Sequence, residues 1–187
     1  RAEISEPALG KEKFRYSITV EAHDEHYLPA LDIPVSTPKD VFYLNGNILR
    51  SKIPLKKRQQ FVLLSAFDIQ DRYLSSRDRK RAIDLPERGN NRARSLAEGL
   101  WEKSSGTEQM IDNVLDYFRK NDFYYTLEPP LLGNKPIDEF LFQTRKGYCE
   151  HYASAFVWLM RAAGIPARVV VGYQGAEFNP LGEYYIV

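Results

Sequence analysis

Gly147-Tyr148-Cys149-Glu150-His151-Tyr152-Ala153-Ser154-Ala155-Phe156, running on through Val157-Trp158-Leu159-Met160-Arg161-Ala162-Ala163 to Gly164-Ile165-Pro166, decides how this chain is read. The pattern predicts a helix that opens at Cys149 and stops at Gly164-Ile165-Pro166. Ala167-Arg168-Val169-Val170-Val171-Gly172-Tyr173 then predicts a strand. Cys149 is the only cysteine in the 187 residues, so an internal disulfide is excluded. A thiol in the first turn of a helix faces backbone N–H groups without intrahelical partners and the positive end of the helix dipole. Both favour the thiolate, the reactive form. A small buried residue where a helix meets the core is the other reading of a lone cysteine. Position by itself leaves both open.

Composition bounds the classes. With 43% hydrophobic and 13% aromatic residues, the chain has the material for a packed core, and wholesale disorder is excluded. Its 26 basic and 25 acidic side chains leave a net charge of +1, which gives no general attraction to nucleic acid. No apolar run reaches the length needed to cross a bilayer, and no signal peptide is visible. His23 and His26 flank Asp24 and Glu25 in a polar loop, but no cysteine or further histidine completes a metal-ligand set, so an exposed turn is expected there.

The front of the chain reads as β-rich. Phe14, Tyr16, Ile18, Val20 and Ala22 alternate with Arg15, Ser17, Thr19 and Glu21, a period of two that predicts a half-buried strand. The residues from Tyr27 to Pro34 are extended and interrupted by prolines. Val41-Phe42-Tyr43-Leu44, a turn at Asn45-Gly46-Asn47, and Ile48-Leu49 predict a hairpin, with another strand at Phe61-Val62-Leu63-Leu64-Ser65-Ala66-Phe67. The organisation expected is a β-rich region over 1–76, a charged linker over 77–94 and a second domain over 95–187. Arg77, Arg79, Lys80, Arg81, Arg88, Arg92 and Arg94 of the linker are expected to be solvated.

Beyond the linker, Asn91 is expected to cap a helix through Trp101. Thr107 opens the next, with Met110, Ile111, Val114, Leu115 and Phe118 at core spacing. A short extended piece covers 122–127, and Pro136 pre-sets a short helix through Phe140 and Leu141 that delivers the chain to Gly147 and Cys149.

From Phe140 to Tyr173 the sequence closely resembles the transglutaminase-like core, a branch of the papain-like cysteine enzymes. The landmarks are Gly147, Cys149, Tyr152, Ala153, Gly164, Ile165, Pro166, Arg168, Gly172 and Tyr173. The wording is most similar to bacterial membrane-anchored transglutaminase-like proteins of the TgpA type, which carry this core in a periplasmic domain. The fold class implied is α+β: an N-terminal β-rich region, then a helical subdomain whose nucleophile helix packs on an incomplete antiparallel sheet. The resemblance implies a Cys–His–Asp triad with Cys149 as nucleophile. The histidine and aspartate of that pattern are expected beyond Val187, so the chain, which begins at Arg1, is expected to be an inactive excerpt of a longer protein.

Three functions are carried forward. In the first, Cys149 attacks a glutamine-type amide of a protein or peptide substrate, and the resulting thioester passes to an amine acceptor. The Cys149 backbone N–H is the expected oxyanion donor. In the second, the same thiol serves a cysteine peptidase or amidase acting on cell-wall or protein peptides. In the third, the fold is a non-catalytic binding scaffold. None calls for a cofactor, a metal or nucleic acid. The resemblance further implies a soluble periplasmic portion of an inner-membrane protein. His151 lies two residues from Cys149, and helix neighbours are three and four apart, so packing rather than proton transfer is expected of it. Tyr148, Tyr152 and Tyr173 are expected around the cleft, Trp158 and Met160 in the core, and Arg168 in a buried ion pair joining helix to strand.

Overall fold

Alternation at the front of the chain produces paired strands, and helical periodicity behind it produces a helical cluster. The computed structural model describes residues 12–44, 47–67 and 74–187. The chain divides into two compact units, Arg1–Tyr73 and Leu74–Val187.

The first unit holds β1 (Lys13–Val20), β2 (Tyr27–Leu28), β3 (Ile33–Pro34), β4 (Val41–Leu44), β5 (Ile48–Ser51) and β6 (Gln59–Ala66). They form two three-stranded antiparallel sheets, ordered β1-β6-β3 and β2-β5-β4. The long pair β1–β6 runs in register from Lys13 opposite Ala66 to Val20 opposite Gln59. Val20, Leu28, Val41, Leu49, Leu55 and Leu63 form its buried core. The hairpin expected around Asn47 forms as β4–β5; Asn45 and Gly46 of its turn lie outside the described residues.

The second unit holds α1 (Ser76–Ile83), α2 (Asn91–Trp101), α3 (Thr107–Lys120), β7 (Tyr124–Tyr125), α4 (Pro136–Glu139), β8 (Lys146–Gly147), α5 (Cys149–Ala162), β9 (Glu177–Asn179) and β10 (Tyr184–Ile186). Ala93 and Ala97 of α2, Met110 and Val114 of α3, Phe140 and Leu141 after α4, and Ala155, Trp158, Leu159 and Met160 of α5 meet in one core. The fold is α+β.

The segment expected as a linker, 77–94, contains α1 and the first turn of α2. Ser75 starts α1: its Oγ accepts the Asp78 N–H at 3.1 Å and donates to the Asp78 carboxylate at 2.6 Å. Ala82 then buries the inner face of this helix.

Two helix starts cap each other. Asn91, expected as the cap of α2, is its first residue, and Asn90 holds the N-cap position at φ 51°. Asn90 tolerates that left-handed backbone, and its side chain serves α4 instead. Its Oδ1 accepts the N–H groups of Ile137 and Asp138, both at 3.1 Å. The buried Asp138 carboxylate returns the service to α2, accepting the Ala93 N–H at 2.7 Å and the Arg92 N–H at 3.3 Å. Four orphan amides are thereby satisfied by two side chains 48 residues apart.

Helix α5 ends in a Schellman arrangement. Gly164, at φ 75°, donates to the Arg161 carbonyl at 2.9 Å, and Ile165 donates to that of Met160 at 2.9 Å. Ile165 is buried against the core, which seals the turn.

The strand expected over 167–173 does not form. After Ala167, whose N–H reaches the Ala82 carbonyl at 3.0 Å, the backbone finds no ladder partner among the described residues. Val170 and Val171 are 92% and 90% exposed. A β-rich composition makes a strand only where a neighbouring strand supplies the hydrogen bonds. Replacing Asp138 with alanine should lower the unfolding free energy by about 1–3 kcal/mol, since it orphans amides at the start of α2. Urea denaturation measures this, and an unchanged midpoint would contradict the cross-capping account.

Candidate functional site

Cys149 is the first residue of α5 and is exposed. The helix beyond it sends Tyr152, Ala155, Phe156 and Leu159 inward at helical spacing. Burial of this body holds the helix in place while its opening residue remains open to solvent. Tyr148, the N-cap residue, has extended backbone, and its side chain makes no capping hydrogen bond. Its carbonyl accepts the His151 N–H at 2.9 Å and starts the helix.

The approach to Cys149 is built from a tight strap. Residues Phe140–Thr144 make a π-helical turn, closed where the Arg145 N–H reaches the Phe140 carbonyl at 3.0 Å. Arg145 sits at φ 50° and turns the chain into β8. There Tyr124 and Tyr125 of β7 run parallel to Lys146 and Gly147, and the Thr126 N–H reaches the Gly147 carbonyl at 2.9 Å. The strand pair thus leads straight to the helix start.

Gly147 is buried under the imidazole of His151. A Cβ at Gly147 would lie 2.6 Å from Cγ and 2.7 Å from Cβ of His151, and 3.0 Å from Cε2 of Phe140. Only glycine permits this approach. The ring also meets Tyr148 edge-on, with centroids 4.6 Å apart, and Phe140 at 5.6 Å. His151 is therefore engaged in packing, as its spacing from Cys149 implied. Its Nδ1 is buried without a hydrogen-bond partner among the described residues, as is Thr144 Oγ1.

Behind the helix start, Tyr152 packs against Phe118, Phe123 and Phe140 at centroid distances of 5.6, 6.0 and 5.1 Å. Tyr125 stacks on it at 6.4 Å. Burial pushes the Tyr152 phenol up from its ordinary value. Trp158 and Met160 are buried in the core, as expected.

Other candidates fall elsewhere. Tyr173 is exposed on the segment that was expected to be a strand. Arg168 is not in a buried pair between α5 and a strand; its guanidinium lies 4.0 Å from Asp78 of α1, with the two side chains 39% and 26% exposed. Arg161, further back on α5, anchors the connection more firmly, donating to the carbonyls of Ala167 at 2.8 Å and Asp84 at 3.1 Å. In the first unit His23 Nδ1 accepts the Glu25 N–H at 3.2 Å, and His26 Nδ1 donates to the Ser51 carbonyl at 3.0 Å. The first is a local turn contact, whereas the second ties a half-buried His26 to the end of β5 across 25 residues; no group of metal-ligating side chains gathers among the described residues. Sequence reasoning picked out Gly147 but missed its close contact with His151. No local sequence signal marks that contact, because it depends on the π turn and the β7–β8 pair bringing Gly147 beneath the ring.

Charge at the helix mouth is set by Glu150. Tyr148 donates its hydroxyl to the Glu150 carboxylate at 3.3 Å. The carboxylate's negative charge, above all, raises the Tyr148 phenol from its ordinary value, because a phenolate there would face a like charge. Glu150→Gln should therefore move the Tyr148 titration to lower pH, followed by tyrosine ring NMR. A midpoint that stays put or rises would contradict this assignment.

Comparison with known proteins converges on one family. Residues 94–185 match the model of the transglutaminase-like superfamily. The Pseudomonas aeruginosa protein-glutamine gamma-glutamyltransferase is 37% identical over 177 residues, 94% of this chain and 26% of its own length. An uncharacterised Bacillus subtilis protein, YebA, is 38% identical over 105 residues, 54% of this chain and 14% of its own. Two crystal structures of the periplasmic domain of TgpA from P. aeruginosa, one bound to ethylmercury, superpose with TM-scores of 0.87 and 0.86 at 36% identity. Each match covers 95% of this chain and 64% or 62% of the crystallised one. The chain thus spans about a quarter of the curated P. aeruginosa relative and just under two thirds of its crystallised domain. Among the described residues no helix is long and apolar enough to cross a membrane. With α3, α5, the Gly147–Cys149 helix start and the Gly-Ile-Pro turn all inside the match, the part of this chain from residue 94 to 185 belongs to the transglutaminase-like superfamily.

Proposed function

We propose that this chain carries the nucleophile of a cysteine acyltransferase of transglutaminase type, with Cys149 as that nucleophile. The observation that carries the reading is the exposed thiol at the first residue of a helix whose body is buried. A helix N-terminus in general favours negative charge through its dipole and its first amides, which is why a thiol in this position is read as a nucleophile.

The chemistry follows from the thiolate. Sulfur attacks the carbonyl carbon of a glutamine side-chain amide on a protein or peptide, the C–N bond breaks, and protonated nitrogen leaves as ammonia. A primary amine then attacks the thioester, forming a new amide and returning the sulfur as a thiol. If water takes the amine's place, the outcome is hydrolysis. The Cys149 N–H, at the helix start, is suited to hold the oxyanion, since Tyr148 places no side-chain acceptor there.

Proton transfer needs a base, and His151 is not assigned that role because its ring is engaged against Gly147, Phe140 and Tyr148. The second unit holds no other histidine, so this unit by itself is expected to turn over poorly. The likeness to a periplasmic domain supports action outside the cytoplasmic membrane, on substrates of that compartment. The domain division supported by the compact units is a β-rich front and a transglutaminase-like core, with α1 grouped with the core.

The test is incorporation of a fluorescent primary amine into a glutamine-bearing peptide by the full-length protein. Amine incorporation with release of ammonia is expected, and Cys149→Ala should abolish it. Peptide cleavage without amine incorporation would replace this reading with a peptidase, and incorporation that survives Cys149→Ala would remove the thiol from the mechanism.

A further inference from the structure

We infer that His151 is a positioning residue whose imidazole, wedged against the bare backbone of Gly147, sets the geometry of the strap and helix start that present Cys149. The inference rests on the reading of Cys149 as the reactive thiol and adds the means by which that thiol is held.

The side chain of His151 touches the backbone two residues before Cys149, while its own backbone lies two residues after it. The N–H of His151 is bonded to the Tyr148 carbonyl at 2.9 Å. Its ring fills the space a Cβ on Gly147 would need, with ring and Cβ atoms 2.6–2.7 Å from that position. The same ring lies edge-on to Tyr148 and against Phe140. Residues 147, 148 and 151 are thereby locked around Cys149. The sulfur's own residue is left free of packing and exposed.

Shape accounts for the contact better than hydrogen bonding does. Nδ1 is buried with no partner among the described residues, so that nitrogen is not what ties the ring in place. A flat ring of about this size, on a backbone position that tolerates no methyl group, is the essential feature. The parallel β7–β8 pair holds Gly147 from the other side, through the Thr126 N–H on its carbonyl. The strap is therefore gripped between a strand and a ring.

The experiment measures iodoacetamide alkylation of Cys149 in the 187-residue chain, with the melting temperature recorded for each variant. Alkylation needs no turnover, so its outcome is separable from whether the protein is an acyltransferase. His151→Ala is expected to slow alkylation measurably in protein that remains folded, because the reactivity of a thiol toward a free reagent follows its exposure and local environment, which the wedge holds in place. His151→Phe, which keeps a flat ring and loses both nitrogens, should recover most of the rate. Gly147→Ala should slow alkylation as His151→Ala does, since the added methyl expels the ring. In the double variant, the methyl occupies space already vacated, so the rate should match that of His151→Ala alone, a departure from additivity that reports direct contact.

Unchanged alkylation in folded His151→Ala overturns the inference. Multiplicative effects of Gly147→Ala and His151→Ala overturn it too, because independent sites would behave that way. If His151→Ala does not fold, His151→Phe decides: a near-native rate supports the wedge, and a slowed rate in folded protein overturns it. In full-length protein, the same wedge predicts a fall in kcat for His151→Ala with KM little changed.

Discussion

Burial of the α5 body is the constraint from which the rest of the second unit follows. Ala155, Trp158, Leu159 and Met160 sit in the core with residues of α2, α3 and the turn after α4. A helix held so firmly along its length has little freedom at its first turn, so whatever stands at its first residue is presented in a fixed direction. Cys149 stands there, and its exposure is a consequence of the packing of residues one to three turns further on. The Schellman turn at Gly164 and Ile165 fixes the far end, and Arg161 ties that end to the carbonyls of Asp84 and Ala167.

Local rules made much of this visible in advance. Alternation at Phe14–Tyr16–Ile18–Val20 marked β1, and the spacing of Met110, Val114 and Phe118 marked α3, because each signal lies within one element. The helix of Cys149 and its Gly-Ile-Pro stop were legible for the same reason, and the resemblance over that stretch identified the family. The readings that failed depended on partners distant in sequence. Asn91 looked like a cap because the sequence does not reveal Asp138, which meets the α2 amides across 45 residues. The segment 77–94 looked like a linker because its charges outnumber its apolar residues, whereas a Ser75 cap, the buried Ala82 and the Ala167 N–H on the Ala82 carbonyl seat α1.

Residues 167–173 make the point from the other direction. Their composition is that of a strand, yet strand geometry requires a neighbour, and none pairs with them among the described residues. Arg168 likewise had the residue type of a buried ion pair and instead lies partly exposed near α1. The contact of His151 with Gly147 could not be read from periodicity at all. It depends on the π turn and the β7–β8 pair bringing Gly147 beneath the ring, which is a matter of three-dimensional closure rather than of local propensity.

These features describe one device: a buried helix, a gripped strap leading into it, and a thiol left in the open between them. The most direct measurement of that claim compares the rate of thiol alkylation at Cys149 in the folded chain with the rate in the same chain unfolded in urea. The account predicts faster alkylation in the folded state, where the first turn of α5 holds the sulfur in reach of reagent and beside stabilising amides. A folded-state rate below that of the unfolded chain would mean the fold conceals the thiol, and would contradict it.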